Sequence, residues 1–325
     1  MKLHNDTDAF ELLIIELSGR YNIRPDILEK DYYVTLMLKE LSEKQKEGLR
    51  AFFKGGTAIY KILESLNRFS EDIDISLDNS GFNGSQSKKN LKNATKEYVS
   101  LTFSADLEIN QSSRTSEFSY SSIFDVDIND RLNRFGVVKV ETTDFTISKP
   151  HETHLISPLI YTISNQGEKN ILENEYDINP FEIKTISIER IFIDKLFALE
   201  NRILRHEYEE ASKHAYDIYQ LFKLNSITSL ISNTELLVML INIQMDEENN
   251  RLNSNLKNIH PANFAFYPIL NREEKFIASF NVMQNIYVFN AENILEFQDI
   301  VDTIESISKS FNKIFSIENN LMIER

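Results

Sequence analysis

Two hydrophobic periods share this chain, one repeating at every second residue and one following the helical turn, and their alternation predicts its layout. From Pro25 to about Leu41, with Asp26 near the start, Ile27, Val34, Leu38 and Leu41 recur at helical spacing and predict a strong helix, with Asp31 on the same stripe. Ala51 to Phe53 is a short apolar run suited to a strand. Gly55 and Gly56 then permit a turn, Thr57 reads as an N-cap, and Ala58, Ile59, Ile62, Leu63 and Leu66 predict a helix. In Asp72-Ile73-Asp74-Ile75 polar and apolar residues alternate, so as a strand both carboxylates project to one side and the isoleucines enter the core.

Beyond a polar loop between Asn79 and Ser85, Lys88, Lys92 and Lys96 stand four apart, with Lys89 beside them, on a predicted helix. From Leu101 to about Ile163 the period of two dominates, clearest in LTFSADLEI, EFSYSSIF and GVVKVETTDFTI. In the last of these Val138 and Val140 take one face and leave Lys139 and Glu141 on the other. A final strand, Phe181 to Ile186, leads to Ser187 as the cap of a helix running to about Arg205. On that helix Ile188, Phe192, Lys195, Leu199 and Arg202 follow one stripe, which puts two cations on the face expected to be buried. The next helix carries Ala211, Ala215, Ile218 and Phe222 as its core stripe, with His214 and Asp217 on a flank. Leu236 to Ile243, Phe276 to Val288 and Ile294 to Phe315 read as further amphipathic helices, the first set off from the others around Pro261 and Pro268. His260, beside a proline, reads as a cap or surface residue.

Composition sharpens this outline. All 8 glycines lie at or before Gly167, which leaves the later part helical. At 325 residues, 42% hydrophobic and 26% charged, the chain can hold one large or two modest domains. It contains no cysteine, which excludes disulfides and cysteine-based zinc sites. The N-terminus lacks the pattern of a signal peptide and the longest apolar run, Leu236 to Ile241, is too short to span a bilayer, so a cytoplasmic protein without membrane contact is expected. A net charge of −15 argues against nonspecific coating of nucleic acid; any RNA contact must be local, and the lysine stripe at Lys88, Lys92 and Lys96 is the candidate.

The candidate chemistry lies between Phe52 and Asp78. Adjacent glycines let backbone come close to a neighbour, and a helix opening from them points free N–H groups at the turn, which suits a phosphate. Two carboxylates on one strand face repel unless a cation lies between them. A hard divalent ion, most simply Mg²⁺ (or Mn²⁺), would neutralise the pair and bridge to phosphates held at the glycine turn. D-x-D alone is a common pattern in a chain with 50 acidic residues; a glycine turn, helix and D-x-D strand in succession is far more specific.

K-G-G-T-A followed by R-F-S-E-D-I-D resembles the first motif of the DNA polymerase β-like nucleotidyltransferase superfamily and, in detail, that of the AbiEii toxin family, which includes the MenT toxins. Glu29-Lys30-Asp31-Tyr32-Tyr33-Val34 is similar to a recurrent N-terminal stretch of the same family. D-K-L-F-A-L-E-N-R is similar to its second motif, in which Lys195 matches the functional lysine. Lys213-His214-Ala215-Tyr216-Asp217-Ile218-Tyr219-Gln220-Leu221 resembles its R/K-H-x-Y-D-L-Y-x-L motif, in which Asp217 matches the aspartate needed for activity.

The resemblance implies an α/β (α+β) chain: a polymerase β-like nucleotidyltransferase domain with a mixed sheet over residues 1–186, then a helical domain over 187–325 that closes the active-site cleft. It implies an NTP-dependent nucleotidyltransferase (EC 2.7.7-like), the toxin of a toxin–antitoxin or phage-defence system, modifying the 3′ end of tRNA. Asp72, Asp74, Lys195 and Asp217 are expected to be catalytic; Gly55, Gly56, Thr57, Ser70 and Arg202 to hold the nucleotide; and Asp72, Asp74 and a third carboxylate to hold the metal. Glu141 is the candidate third ligand, with Asp125, Asp127 and Asp144 as rivals. Asp31 reads as a buried hydrogen-bond partner or a support for the glycine loop. The expected partners are an NTP, a tRNA acceptor and an antitoxin encoded nearby that need not touch the toxin. A nucleotidylyltransferase acting on a protein or small molecule, or a degenerate nucleotide-binding protein, are the alternatives.

Overall fold

The structure is a computed structural model that describes residues 2–65, 67–103, 113–124, 136–251, 254–269 and 274–323. Leu66, Asp125, Asp127 and most of the LTFSADLEI segment lie outside the described residues. The chain forms two compact units, one of Met1–Ile186 with Phe289–Ala291 and one of Ser187–Val288 with Glu292–Arg325.

The first unit is built on a seven-stranded mixed sheet. Its strands are β1 (Ala51–Lys54), β2 (Ile73–Leu77), β3 (Thr102–Phe103), β4 (Thr115–Ser119), β5 (Val137–Thr143), β6 (His151–Ile156) and β7 (Phe181–Ile186), in the order β3-β4-β5-β2-β1-β7-β6. Two neighbouring pairs are parallel, β2 with β5 and β1 with β7. β1 and β2 are antiparallel, and the helix α3 (Gly55–Leu63) lies between them in the chain. The expected β5 segment stops at Thr143, short of Ile147.

Alternation sets the two faces of the central strands. Ile73, Ile75, Val138, Val140 and Phe118 are buried, whereas Asp74, Lys139 and Glu141 are half-buried on the opposite face. The helices of this unit are α1 (Thr7–Tyr21), α2 (Pro25–Lys46), α3, α4 (Gly84–Thr95), α5 (Leu159–Thr162) and α6 (Gln166–Tyr176). Pro25 occupies the first turn of α2, where its missing N–H costs no hydrogen bond. Ile27, Val34, Leu38 and Leu41 of α2 are all fully buried, as their spacing predicts. Gln45 fastens this helix to the sheet: its amide donates to Ala51 O and Lys184 O and accepts from Lys184 N.

The second unit contains no strand among its described residues; its helices are α7 (Ile188–Leu204), α8 (Tyr208–Phe222), α9 (Asn225–Ser232), α10 (Thr234–Asn250), α11 (Phe266–Ile269), α12 (Glu274–Tyr287) and α13 (Phe297–Ile323), with short 3-10 turns. Ser187 caps α7 by accepting a hydrogen bond from Arg190 N, as expected. α8 packs against α7, α12 and α13; Ala211, Ala215 and Ile218 are buried as their spacing predicts, whereas Phe222, in the last turn, is half-buried and Leu221 is buried instead. Glu200 on α7 is buried and accepts N–H bonds from Ala265 and Phe266; burial pushes its carboxyl above the ordinary range. His260 caps its turn by accepting from Ala262 N. Among the described residues no single helix is long and apolar enough to cross a membrane; α9 and α10 together pass that test of length and composition, but they meet at 95°.

Candidate active site

Gly55 has φ +85°, a left-handed conformation that residues with a Cβ adopt only under strain, and it begins α3 directly. A Cβ at Gly55 would overlap the Asp74 carboxylate, whose Cγ would lie 2.9 Å away. A Cβ at Gly56 would lie 2.7 Å from Ser70 Oγ and 2.8 Å from Arg68 Nη2. The close approach that the paired glycines permit is therefore, in the first place, to the acidic strand and to the segment leading into it. The first turn of α3 and the Asp74 carboxylate share one small region.

Thr57 does not cap the helix. α3 starts two residues earlier, with Lys54 at the cap position and no side chain capping it, because the glycine conformation already turns the chain. Thr57 is buried inside the first turn and hydrogen-bonds Ser70 at 3.1 Å between hydroxyl oxygens. That contact ties the start of α3 to the approach of β2. The first-turn N–H groups of α3 have no side-chain cap, which leaves them suited to an anion.

Sheet register assembles the remainder. In the β1–β2 pair Lys54 is opposite Asp74; in the parallel β2–β5 pair Asp74 is opposite Glu141; in the β4–β5 pair Glu141 is opposite Thr115. One row across the polar face therefore reads Lys54, Asp74, Glu141, Thr115. The neighbouring row holds Asp72, which immediately precedes β2, then Lys139 and Glu117. Lys139 forms an ion pair with Glu141. Its ammonium is held above its ordinary range: burial acts to lower it, and the hydrogen bond to Glu141 and the charges of Asp72, Glu141 and Asp74 outweigh that. Asp144 is turned to a different partner, Arg114, at 2.7 Å.

The donor set suits a hard divalent cation, since Asp72, Asp74 and Glu141 offer carboxylate oxygens from adjacent positions of one face. Among the described residues, however, no three His, Asp or Glu side chains close around a single point, and Glu141 is engaged by Lys139. The residues fit the ion in donor chemistry, with Lys139 intervening.

A buried polar layer on α2 supports this region. Three successive residues of that helix, pointing about a quarter-turn apart, each fasten a different segment. Glu29 accepts from Ser122 Oγ at 2.5 Å and Ile123 N at 2.9 Å, beyond β4. Lys30 is paired with Glu71, the residue before Asp72, at 3.6 Å and donates to Val137 O at the start of β5. Asp31 accepts from Tyr60 Oη at 2.7 Å and Leu159 N at 2.6 Å and pairs with Lys61 Nζ at 2.6 Å, which holds α3 from behind. Lys61 also donates to Thr35 and Ser157, so this wholly buried ion pair is hydrogen-bonded throughout; burial nonetheless pulls the Lys61 ammonium below its ordinary range. Asp31 is thus both a satisfied buried partner and a support of the glycine helix.

In the second unit Lys195 and Asp217 are buried and paired at 2.7 Å, joining α7 to α8. Arg202 corrects the expected stripe. It is part-exposed in the last turn of α7, paired with Glu207 just beyond, because the helix ends at Leu204 and the side chain leaves the packed face. On α4, Lys88 and Lys92 are exposed, Lys96 lies at the C-cap rather than within the helix, and Lys92 pairs with Glu97 at 2.9 Å.

Lys54, Arg68 and Lys139 were not among the site residues the sequence pointed to. The K-G-G-T and R-F-S-E-D contexts of the first two, and the alternation of Lys139 with Val138 and Val140, were the only signals available.

A family model described as nucleotidyl transferase AbiEii toxin, type IV toxin–antitoxin system, matches residues 37–275. No curated protein matches the chain.

Proposed function

Because the chain belongs to the AbiEii nucleotidyl transferase toxin family, we propose that it transfers a nucleoside monophosphate from an NTP to the 3′ end of tRNA and releases pyrophosphate, as a polymerase β-like enzyme of the MenT kind. The observation that carries the reading is the packing of Asp74 against the Gly55 backbone at the first turn of α3, with Asp72, Glu141 and Lys139 on the same sheet face.

Each element has a chemical task in this reading. The first-turn N–H groups of α3 hold phosphate oxygens, with Gly55 and Gly56 keeping the approach open and Ser70 and Thr57 fixing the turn. Asp72 and Asp74, with Glu141, would hold Mg²⁺ or Mn²⁺; a divalent ion there supplies charge neutralisation at the phosphates and lowers the pKa of the attacking hydroxyl. Lys195 is taken as the functional lysine on the likeness of D-K-L-F-A-L-E-N-R to the family's second motif, and Asp217, at 2.7 Å, orients its ammonium. The tRNA acceptor rests on the likeness to MenT toxins and on the exposed lysines of α4.

The test is incubation of the protein with each of the four α-labelled NTPs and total cellular RNA. Label in the tRNA band, lost in Asp72→Ala and Asp74→Ala, is the expected result. Label on a polypeptide or a small molecule assigns the acceptor elsewhere, and no label with any NTP removes the transferase reading.

A further inference from the structure

A lysine placed among carboxylates expected to hold a metal calls for an explanation. Lys139 precedes Glu141 by two residues on β5, so both side chains project from the same face, and the ammonium closes on the Glu141 carboxylate. The parallel register brings Asp74 opposite Glu141 and Asp72 beside the row of Lys139, and both aspartates act electrostatically on that ammonium. On the other flank Glu117 is opposite Lys139 across β4. The four acidic residues that face this lysine thus come from three strands or their approaches.

We propose that Lys139 is a resident counter-cation of the acidic face, which offsets part of the negative charge of Asp72, Asp74 and Glu141 until a divalent cation arrives and which competes with that cation for the Glu141 oxygens. Lys139 is therefore a positioning residue that sets metal affinity. The physical reason is simple. Carboxylates on adjacent positions of one sheet face repel one another, and the ammonium paired with Glu141 offsets part of that repulsion before nucleotide and metal bind. Two cations drawn to the same few oxygens repel, so each weakens the other's binding. The consequence is a site that is assembled in advance yet takes up its metal weakly unless a triphosphate adds further ligands.

This inference rests on the metal-dependent reading above and is tested by binding rather than by turnover. Mn²⁺ affinity is measured by electron paramagnetic resonance for the full-length wild type and for Lys139→Met, Lys139→Gln and Lys139→Arg, with folding checked by circular dichroism. Removing the charge in the Met and Gln variants should tighten Mn²⁺ on the order of tenfold or more, and the Arg variant should stay near wild type. The uncharged variants should also melt lower in EDTA than wild type and gain more from added Mn²⁺, because they lose the positive charge that Lys139 brings to the Glu141 carboxylate. Should the Met variant fail to fold in EDTA, the Gln variant supplies the comparison. Mn²⁺ binding by wild type that is unchanged or weakened in both uncharged variants overturns the role of Lys139 and leaves the transferase reading standing. An Arg variant that tightens Mn²⁺ as much as the uncharged ones overturns it too, since shape rather than charge would then be responsible. Absence of Mn²⁺ binding by every variant and by wild type, with a non-hydrolysable NTP analogue present as well as without it, removes both.

Discussion

Asp74 on β2 and Glu141 on β5 are partners in parallel register, although 67 positions separate them in the chain. Between those positions lie α4, β3 and β4, so the pairing is made by sheet topology alone. It places a second carboxylate beside the one that already packs against the Gly55 backbone.

Replacing Asp72 or Asp74 by Ala should reduce nucleotide transfer about 1000-fold or more, since several kcal/mol of charge stabilisation would be lost. Thermal melting should change little by comparison, because neither residue belongs to the buried core. Initial rates with a labelled NTP, alongside a melting curve, separate the two effects; retained activity in both variants would sink the assignment.

Gly55→Ala should destabilise the protein by about 2 kcal/mol or more, the sum of a left-handed conformation forced on alanine and a collision with Asp74. Activity should fall with it, as the carboxylate must move. Denaturant unfolding gives the first quantity. An Ala variant as stable and active as wild type would show that the turn tolerates a side chain.

Lys195→Ala or Asp217→Ala removes one half of a buried ion pair, which costs about 3–5 kcal/mol. The double variant Lys195→Met with Asp217→Leu should recover most of that stability without recovering transfer. If the pair serves packing only, activity returns together with the melting temperature.

Asp31→Ala should be similarly destabilising, by about 3–5 kcal/mol, because Lys61 would be buried without its partner. Adding Lys61→Met should restore part of the loss. Hydrogen exchange across α3 reports whether the glycine helix loosens, and unchanged protection there would deny Asp31 its supporting role.

Charge reversal at Lys88, Lys92 and Lys96 should weaken tRNA binding and flatten its dependence on salt, while leaving NTP binding unchanged. Filter binding at several salt concentrations measures both; an unaltered affinity excludes α4 as an RNA contact.

The amino-acid sequence by itself determined the elements and the motif. Local physics decides such features: the period of two puts Ile73 and Ile75 inward and Asp74 outward, and helical spacing buries Ile27, Val34 and Leu38. Adjacent glycines mark a close approach whatever the neighbour is. Local physics misjudged what depends on neighbours. Thr57 looked like a cap because a hydroxyl before an apolar helix usually is one, but the glycine conformation started the helix earlier. Arg202 looked buried because a stripe drawn on a helix does not reveal where its packed face ends. Only the tertiary structure decided that Glu141 stands beside Asp74, that Lys139 lies among the carboxylates, and that Glu29, Lys30 and Asp31 each brace a different segment. Strand order and register bring together residues that lie far apart in the chain, and a pattern read along one segment carries no information about which strand will lie next to it.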